Sequence, residues 1–221
     1  MKWALLAFAL LAFIGCCMLS GSYSDMALIR YIHSHRASGW DGLFQLISNT
    51  TAYISFGFVA PYLIRAAIAK KPYAFLSGKM GDRRLLFAEG LLLLCSLLVA
   101  TVVVQVLKPL VHRMRPYEVY PFIHKLSDAG GGSFPSGHTA DAFTVLAFFM
   151  LGRYSRVLVF PVLAWALAVG YSRICLGVHY GSDVMGAMVL GILSAWTGHL
   201  LFRSAGIGRK IQCPLKKNNA G

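Results

Sequence analysis

Long runs of apolar residues constrain this chain more than any other feature of its sequence. The longest run, from Leu85 to Leu107, contains Glu89 as its one charged residue. It is long enough for an α-helix to cross a bilayer core of about 30 Å. The chain is 57% apolar and 13% charged, whereas soluble domains average about 45–50% and 25%. These observations predict an all-α integral membrane protein.

Six apolar segments can be drawn, which predicts a six-transmembrane-helix bundle. They are approximately Trp3–Leu19, Thr51–Ile68, Leu85–Leu107, Thr139–Gly152, Val157–Tyr171 and Val184–Phe202. The fourth and fifth are short, so either their helices extend into the flanking motifs or Arg153 and Arg156 snorkel from a tight hairpin. The first segment also resembles a signal peptide, but we expect it to be retained.

The excess of basic residues predicts the orientation of the bundle. Lys and Arg number 21 against 8 Asp and Glu, and they fall between the apolar runs. This distribution argues against nucleic acid as a partner and favours the lipid bilayer with its anionic headgroups. With the N-terminus inside, 14 of the 21 basic residues lie in cytoplasmic segments. The positive-inside rule therefore places both termini in the cytoplasm.

We expect residues 1–221 to form one membrane domain with five parts. These are the first span and an outer amphipathic segment (1–50), spans two and three (51–107), an outer loop (108–138), spans four to six (139–203) and a basic cytoplasmic tail (204–221).

Three polar motifs fall on the predicted outer side, at the ends of spans. The first runs from Lys108 to Pro116 with Arg115 inside it, the second is Pro135-Ser136-Gly137-His138, and the third runs from Ser172-Arg173 through His179 to Asp183. Lys108, Arg115 and Arg173 offer three cations, and an Arg fork matches phosphate oxygens. Ser136 and Gly137 precede a helix, whose free N–H groups favour an anion. The motifs predict a phosphate-binding site.

The same motifs contain two histidines that could carry chemistry. His179 and Asp183 are four residues apart, so they share a helix face if the sixth helix begins early enough. A carboxylate that fixes one ring nitrogen leaves the other as a nucleophile or base. His138 is then the candidate acid for the leaving oxygen. Spacing alone leaves Asp141 as an alternative partner for His138.

These patterns, Lys-x6-Arg-Pro, Pro-Ser-Gly-His and Ser-Arg-x5-His-x3-Asp, resemble the phosphatidic acid phosphatase type 2 superfamily. The resemblance implies that His179 is the nucleophile, held by Asp183, and that His138 protonates the leaving group and later activates water. It also implies that Lys108, Arg115, Ser136, Gly137 and Arg173 bind phosphate, without a metal or other cofactor. The role of Asp141 stays open, because this residue lies outside the signature.

The implied function is hydrolysis of a membrane lipid phosphate or diphosphate at the periplasmic face of a bacterial inner membrane. The candidate substrates are lipid A, undecaprenyl diphosphate, phosphatidylglycerol phosphate and phosphatidic acid, and analogy ranks the first two highest. A lipid-to-lipid phosphotransferase would use the same histidines. A non-catalytic transporter or scaffold would explain the spans but not the complete set of motifs.

Other polar residues have simpler interpretations. His33 and His35 lack the Cys or carboxylate neighbours of a metal site, and the five cysteines show no metal-ligand spacing. Glu89 faces either a packing partner or a substrate groove. His112 and Arg113 could contact substrate or face the lipid headgroups.

Overall fold

The computed structural model describes residues 23–68, 73–74, 80–81, 83–152 and 156–204, and within them the regular secondary structure is helical apart from one short β-ladder. The described helices are α1 (residues 23–35), α2 (Asp41–Gly57), α3 (Ala60–Ile68), α4 (Arg83–Val111), α5 (Pro116–Val119), α6 (Gly137–Leu151), α7 (Arg156–Cys175) and α8 (Gly181–Ser204). A 3-10 turn, Ser38–Trp40, precedes α2. The ladder pairs β1 (Tyr73–Ala74) with β2 (Met80–Gly81) in antiparallel register.

Four helical segments are long and apolar enough to cross a membrane within the described part of the chain. They are Ser38–Ile68, Leu86–Val119, Val157–Cys175 and Gly181–Phe202, and Gly137–Leu151 is a shorter apolar helix. The predicted first span, Trp3–Leu19, and the tail after Ser204 lie outside the described residues. The integral membrane class is therefore supported by four long helices, and the count of six stays a prediction.

Helix α6 lies at the centre of the bundle, where it contacts α2, α4, α7 and α8. Its residues from Ala142 to Phe149 are all buried. The contact with α8 is close because Gly191 has no side chain there. A Cβ at Gly191 would lie 2.4 Å from the carbonyl oxygen of Ala140. Small residues at such positions let two membrane helices approach closely, and this contact joins the helix that begins at Gly137 to the one that begins at Gly181.

Several boundaries differ from the predicted ones. Helix α2 begins at Asp41, ten residues before the expected start of the second span, so the end of the expected surface segment belongs to this helix instead. The helices of the predicted fourth, fifth and sixth spans, α6, α7 and α8, extend into their flanking motifs. For the short fourth and fifth spans, this is the first of the two alternatives that the sequence left open. Helix α4 continues past Leu107 to Val111, so Lys108 lies in its last turn and not in the loop.

Helix α2 is separated from α3 by a local break that proline explains. Pro61 has no N–H to donate to the carbonyl of Gly57, so the helical hydrogen-bond pattern cannot continue there. The Phe58 N–H still bonds to the Ile54 carbonyl four residues back at 3.1 Å, but the Val59 N–H bonds to the Phe56 carbonyl only three residues back at 3.0 Å. Together with the turn Ser38–Trp40, the two helices form the 31-residue apolar segment that ends at Ile68.

Helix α1 packs against the bundle through one face. Ile29 is completely buried in a cluster with Ile123, Ile174, Cys175 and Val184. Tyr23 and Tyr31, on other faces of α1, are more than half exposed. The amphipathic character expected for this segment is therefore present, but its apolar face contacts protein near the start of α8.

Candidate active site

The three motifs meet at one end of the bundle, where they line a single cavity of about 240 Å³. Its lining includes these predicted site residues: Lys108, Arg115, Gly137, His138, Arg173 and His179. Lys108 and Arg173 come from the last turns of α4 and α7, and Gly137 opens α6. Helix termini of opposite direction therefore converge here, and they bring together motifs that are up to 71 positions apart between Lys108 and His179.

Arg115 is buried, and the loop of residues 130–132 holds its guanidinium. Nε donates to the Gly131 carbonyl at 3.0 Å, and Nη2 donates to the Gly130 carbonyl at 2.8 Å. Nη1 donates to the Val178 carbonyl at 2.9 Å and lies 3.4 Å from His179 Nε2. Five N–H donors in a planar fork permit this many contacts. The carbonyls fix the orientation of the guanidinium beside the His179 ring.

The glycines of this loop allow it to lie against the end of α4. A Cβ at Gly132 would lie 2.8 Å from the carbonyl oxygen of Lys108. At His112 the chain leaves α4 with a φ of 48°, and the His112 N–H bonds back to the same Lys108 carbonyl at 3.0 Å. A residue in the left-handed conformation is a common way to end a helix.

Arg173 is the second buried cation of the cavity, and its partners are serines. Nη1 donates to the Oγ of Ser48 on α2 and to the Oγ of Ser127 at 3.3 Å. Its Nε is buried and makes no hydrogen bond with the described residues. Neutral hydroxyl partners leave the positive charge of Arg173 uncompensated. Together with Lys108 and Arg115 it forms a concentration of positive charge that favours an anion in the cavity.

The start of α6 presents Gly137 and His138 to the cavity but does not bring Ser136 to it. Ser136 is completely buried, and its Oγ lies 3.0 Å from the Oγ1 of Thr139. Because Gly137 has no side chain, an anion can come close to the backbone N–H groups at the start of α6. Phosphate binding by the Ser136 hydroxyl stays a prediction.

His179 lies in the loop between α7 and α8, two residues before α8 begins, and not on the helix itself. Its Nδ1 is 3.5 Å from Asp183 Oδ2, so the expected pair is in contact although Nδ1 is not hydrogen-bonded. Burial lowers the pKa of His179 to about 4, against the opposing effect of Asp183. The ring is therefore neutral near pH 7, which is the form a nucleophile or base requires.

Asp183 is completely buried and accepts several hydrogen bonds. Oδ1 accepts from Arg113 Nη1 at 2.6 Å, and Oδ2 accepts from Ser133 Oγ at 2.5 Å and from the Tyr180 N–H at 2.8 Å. Sequence reasoning missed Ser133, and it assigned Arg113 to substrate or lipid headgroups. The only sequence signal for Arg113 was its place between Lys108 and Arg115. Nothing in the sequence pointed to Ser48.

Asp141 lines the cavity, as His138 does, but no hydrogen bond joins the two among the described residues. The structure therefore gives no support to Asp141 as the residue that orients the His138 ring.

Within the described residues, no group of three or more His, Cys, Asp or Glu side chains could hold a metal ion. His33 and His35 do not share a site. His33 Nε2 lies 3.2 Å from the Ile174 carbonyl oxygen, whereas His35 Nδ1 lies 2.9 Å from the carbonyl oxygen of Tyr31.

Comparisons with known proteins agree with the grouping of these motifs. The chain is 33% identical over 133 residues to phosphatidylglycerophosphatase B of Bacillus subtilis, covering 56% of this chain and 60% of that protein. It is 26% identical over 121 residues to a lipid A 4'-phosphatase of Bacteroides thetaiotaomicron, covering 52% of this chain and 54% of the relative. The matches thus span about half of the length of these relatives.

Two solved structures share the fold over most of their length. The crystal structure of Aquifex aeolicus LpxE matches with a TM-score of 0.60 and 27% identity, over 79% of this chain and 94% of the other. A transmembrane PAP2-type phosphatidylglycerolphosphate phosphatase from Bacillus subtilis matches with a TM-score of 0.68 and 20% identity, over 91% and 96%. The family model of the PAP2 superfamily matches residues 89–206, more than half of the chain and all three motifs. The chain therefore belongs to the PAP2 superfamily.

Proposed function

We propose that this chain is a phosphatase that hydrolyses a phosphate group from a membrane lipid phosphate or diphosphate without a metal cofactor. The single observation that carries the proposal is the cavity in which Lys108, Arg115 and Arg173 surround two histidines. Three fixed cations can stabilise the charge of a transferring phosphoryl group, a task for which other enzymes use Mg²⁺. The relatives named as phosphatases support the same class of reaction.

The proposed first step is transfer of the phosphoryl group to His179. Nε2 lies toward Arg115, whereas Nδ1 lies toward Asp183. Nε2 attacks phosphorus, the bond from phosphorus to the lipid oxygen breaks, and the ring becomes a cation that Asp183 stabilises. His138 gives its proton to the leaving oxygen.

In the proposed second step, the bond from phosphorus to His179 is hydrolysed. His138, now neutral, takes a proton from a water molecule that attacks the phosphorus. The products are inorganic phosphate and the original His179 ring. Gly137 at the start of α6 supports the phosphate through backbone N–H groups. Phosphate binding by the Ser136 hydroxyl stays part of the proposal and requires this hydroxyl to leave its contact with Thr139.

For the architecture, we propose six spans with the active site on the periplasmic face of a bacterial inner membrane, in a single domain of residues 1–221. The five described apolar helices and the apolar segment Trp3–Leu19 supply the spans. The division of basic residues supports the orientation.

The substrate class is tested with a panel of lipid phosphates. Purified protein is incubated with lipid A, undecaprenyl diphosphate, phosphatidylglycerol phosphate and phosphatidic acid, with and without excess chelator, and both free phosphate and the product lipid are measured. We expect free phosphate from at least one lipid, undiminished by chelator, and none from the His179→Gln variant. Phosphate found on a second lipid would identify a phosphotransferase instead. Loss of activity in chelator that a divalent metal restores would reject the metal-free mechanism.

A further inference from the structure

Arg113 binds two carboxylates that come from distant parts of the chain. Its Nη2 lies 2.7 Å from Asp25 Oδ2 on α1, and its Nη1 lies 2.6 Å from Asp183 Oδ1 on α8. The side chain of Arg113 is 16% exposed, and those of Asp25 and Asp183 are 5% and 0% exposed. Its guanidinium also stacks over the ring of Tyr180, at 4.1 Å from the centroid. Arg113 does not line the cavity that contains the histidines, so phosphate binding does not account for it.

Asp25 has a second partner at the start of α8. Its Oδ1 accepts from the Ser182 N–H at 2.9 Å, and its Oδ2 accepts from the Ser182 hydroxyl. Arg113 Nη1 donates to the same hydroxyl at 2.7 Å. Asp25, Arg113, Ser182 and Asp183 thus form one buried network, which we call the α1 network.

Helix α1 is also attached on the other side of the His179 loop, residues 176–180. His33 Nε2 contacts the Ile174 carbonyl oxygen at 3.2 Å, and Ile29 is buried against Ile174 and Val184. The helix therefore contacts the chain both before and after the loop that carries His179. Movement of α1 away from the bundle would release both ends of this loop.

The charges in the α1 network explain why Asp25 matters to Asp183. The Arg113 guanidinium lies 2.6 Å from Asp183. It therefore competes with a cationic His179 ring for the negative charge of the Asp183 carboxylate. Asp25 supplies a second negative charge to Arg113, so the three groups together keep a net charge of −1 beside His179. Without Asp25, Arg113 would neutralise Asp183 and would lose the contact that fixes its own position.

We propose that Asp25 and Arg113 are positioning residues, which hold Asp183 and the His179 loop in the geometry needed for phosphoryl transfer. This inference rests on the proposed function for its effect on rate, but its structural part does not. Asp25 acts through Arg113 and Ser182 and does not touch the cavity. Helix α1 therefore contributes to the geometry of the active site through Asp25.

The kinetic test compares Asp25→Asn with Asp41→Asn as the matched control. Asp41 forms an ion pair with Arg36 at 2.8 Å near the end of α1 but has no contact with the α1 network, and Arg36 keeps its bond to the Cys175 carbonyl. Asp25→Asn places an amide N–H against Arg113 or Ser182, both of which are donors there. We expect kcat to fall about 10- to 100-fold with KM changed less than about threefold, because a misplacement of about 1 Å can cost 10²-fold. Asp41→Asn should stay within about twofold of the original protein.

A double-mutant cycle tests whether Asp25 acts through Asp183. Once Asp183→Asn has removed the carboxylate, adding Asp25→Asn should cost much less than it does alone, since residues in one network are not additive. Additive losses, or a change in KM alone, would overturn the proposal. If Asp25→Asn does not fold, Arg113→Lys serves in its place, because it keeps the charge but cannot bridge two carboxylates; its kcat should fall on the same scale.

Hydrogen–deuterium exchange gives a readout that does not depend on activity. We expect the amides of residues 176–183 to exchange faster in Asp25→Asn than in the original protein or in Asp41→Asn. Unchanged exchange there would overturn the positioning role. If the original protein released phosphate from no lipid, the proposed function would fail, while the exchange result would still decide whether α1 holds the loop.

Discussion

At the scale of single residues, most of the reactive and charged side chains of the site are deeply buried. His179 is 2% exposed and lies between Arg115 and Asp183, which act on opposite nitrogens of its ring. Arg115 and Arg173 are equally buried, but they are held by neutral carbonyl and hydroxyl groups. The negative partners belong to Arg113 instead. The protein thus separates a cation that supports Asp183 from the cations that remain available for phosphate.

The burial of His179 predicts a specific dependence of stability on pH. The pKa of His179 is about 4 in the folded chain, below the ordinary value of 6.5. Because the unfolded chain binds a proton more readily, stability falls as the pH drops below about 6.5, and the loss stops growing below about 4. Between pH 7 and pH 5, the thermal midpoint in detergent should therefore fall more for the original protein than for His179→Gln. Equal falls for the two proteins would show that His179 titrates normally.

At the scale of elements, the close contact of α6 and α8 holds two halves of the site together. Helix α6 carries His138 and α8 carries Asp183, and a Cβ at Gly191 would be 2.4 Å from the Ala140 oxygen and 2.9 Å from the Thr144 nitrogen. Gly191→Ala should force the helices apart and cost about 1–3 kcal/mol, the usual scale of overpacking. Both the thermal midpoint and phosphate release should decrease.

Gly42→Ala is the matched control for this change, since a Cβ at Gly42 in α2 meets nothing within 4 Å. We expect it to leave the thermal midpoint unchanged or slightly raised, because alanine favours a helix. If Gly191→Ala proved as stable as Gly42→Ala, the close approach of α6 and α8 would be wrong.

Polar residues explain why the start of α2 could not be found from hydropathy. The Thr50 hydroxyl donates a hydrogen bond to the Leu46 carbonyl at 2.7 Å, and the Thr51 hydroxyl donates one to the Ile47 carbonyl at 2.8 Å. Ser48 binds Arg173, and Gln45 Nε2 donates to the Leu126 carbonyl at 2.9 Å. The polarity of these residues predicted a surface segment. In the fold, their side chains form hydrogen bonds within α2 or with Arg173 and Leu126 outside it.

At the scale of the whole molecule, the cavity lies at the end of α8 that begins at Gly181, and the helix is described to Ser204. The proposed orientation puts Lys125 outside and Lys79 inside. In a cysteine-free background, Lys125→Cys should be labelled in intact cells by an impermeant reagent, and Lys79→Cys should be protected. The reverse pattern would show that the bundle is inverted.

The sequence predicted the parts of the molecule that depend on local pattern. The lengths of the apolar runs indicated the helices. The positions of the motifs at the ends of spans predicted that His138, His179 and the three cations would lie in one site. The network of Asp25 and Arg113 could not be predicted, because its two carboxylates are 158 positions apart in the chain. Such a pairing depends on how α1 packs against α8, and helical periodicity carries no information about that contact.

The central claim is that His179 receives the phosphoryl group, and trapping of a phosphoenzyme tests it most directly. Purified protein is mixed with a radiolabelled lipid phosphate that it hydrolyses, quenched in alkali and digested, and the labelled peptide is identified. We predict an alkali-stable, acid-labile label on His179. With a lipid diphosphate, whose leaving group needs little protonation, His138→Ala should carry more label, because hydrolysis of the intermediate loses its base. The His179→Gln variant should carry no label. Label on another residue, or full turnover by His179→Gln, would contradict the account.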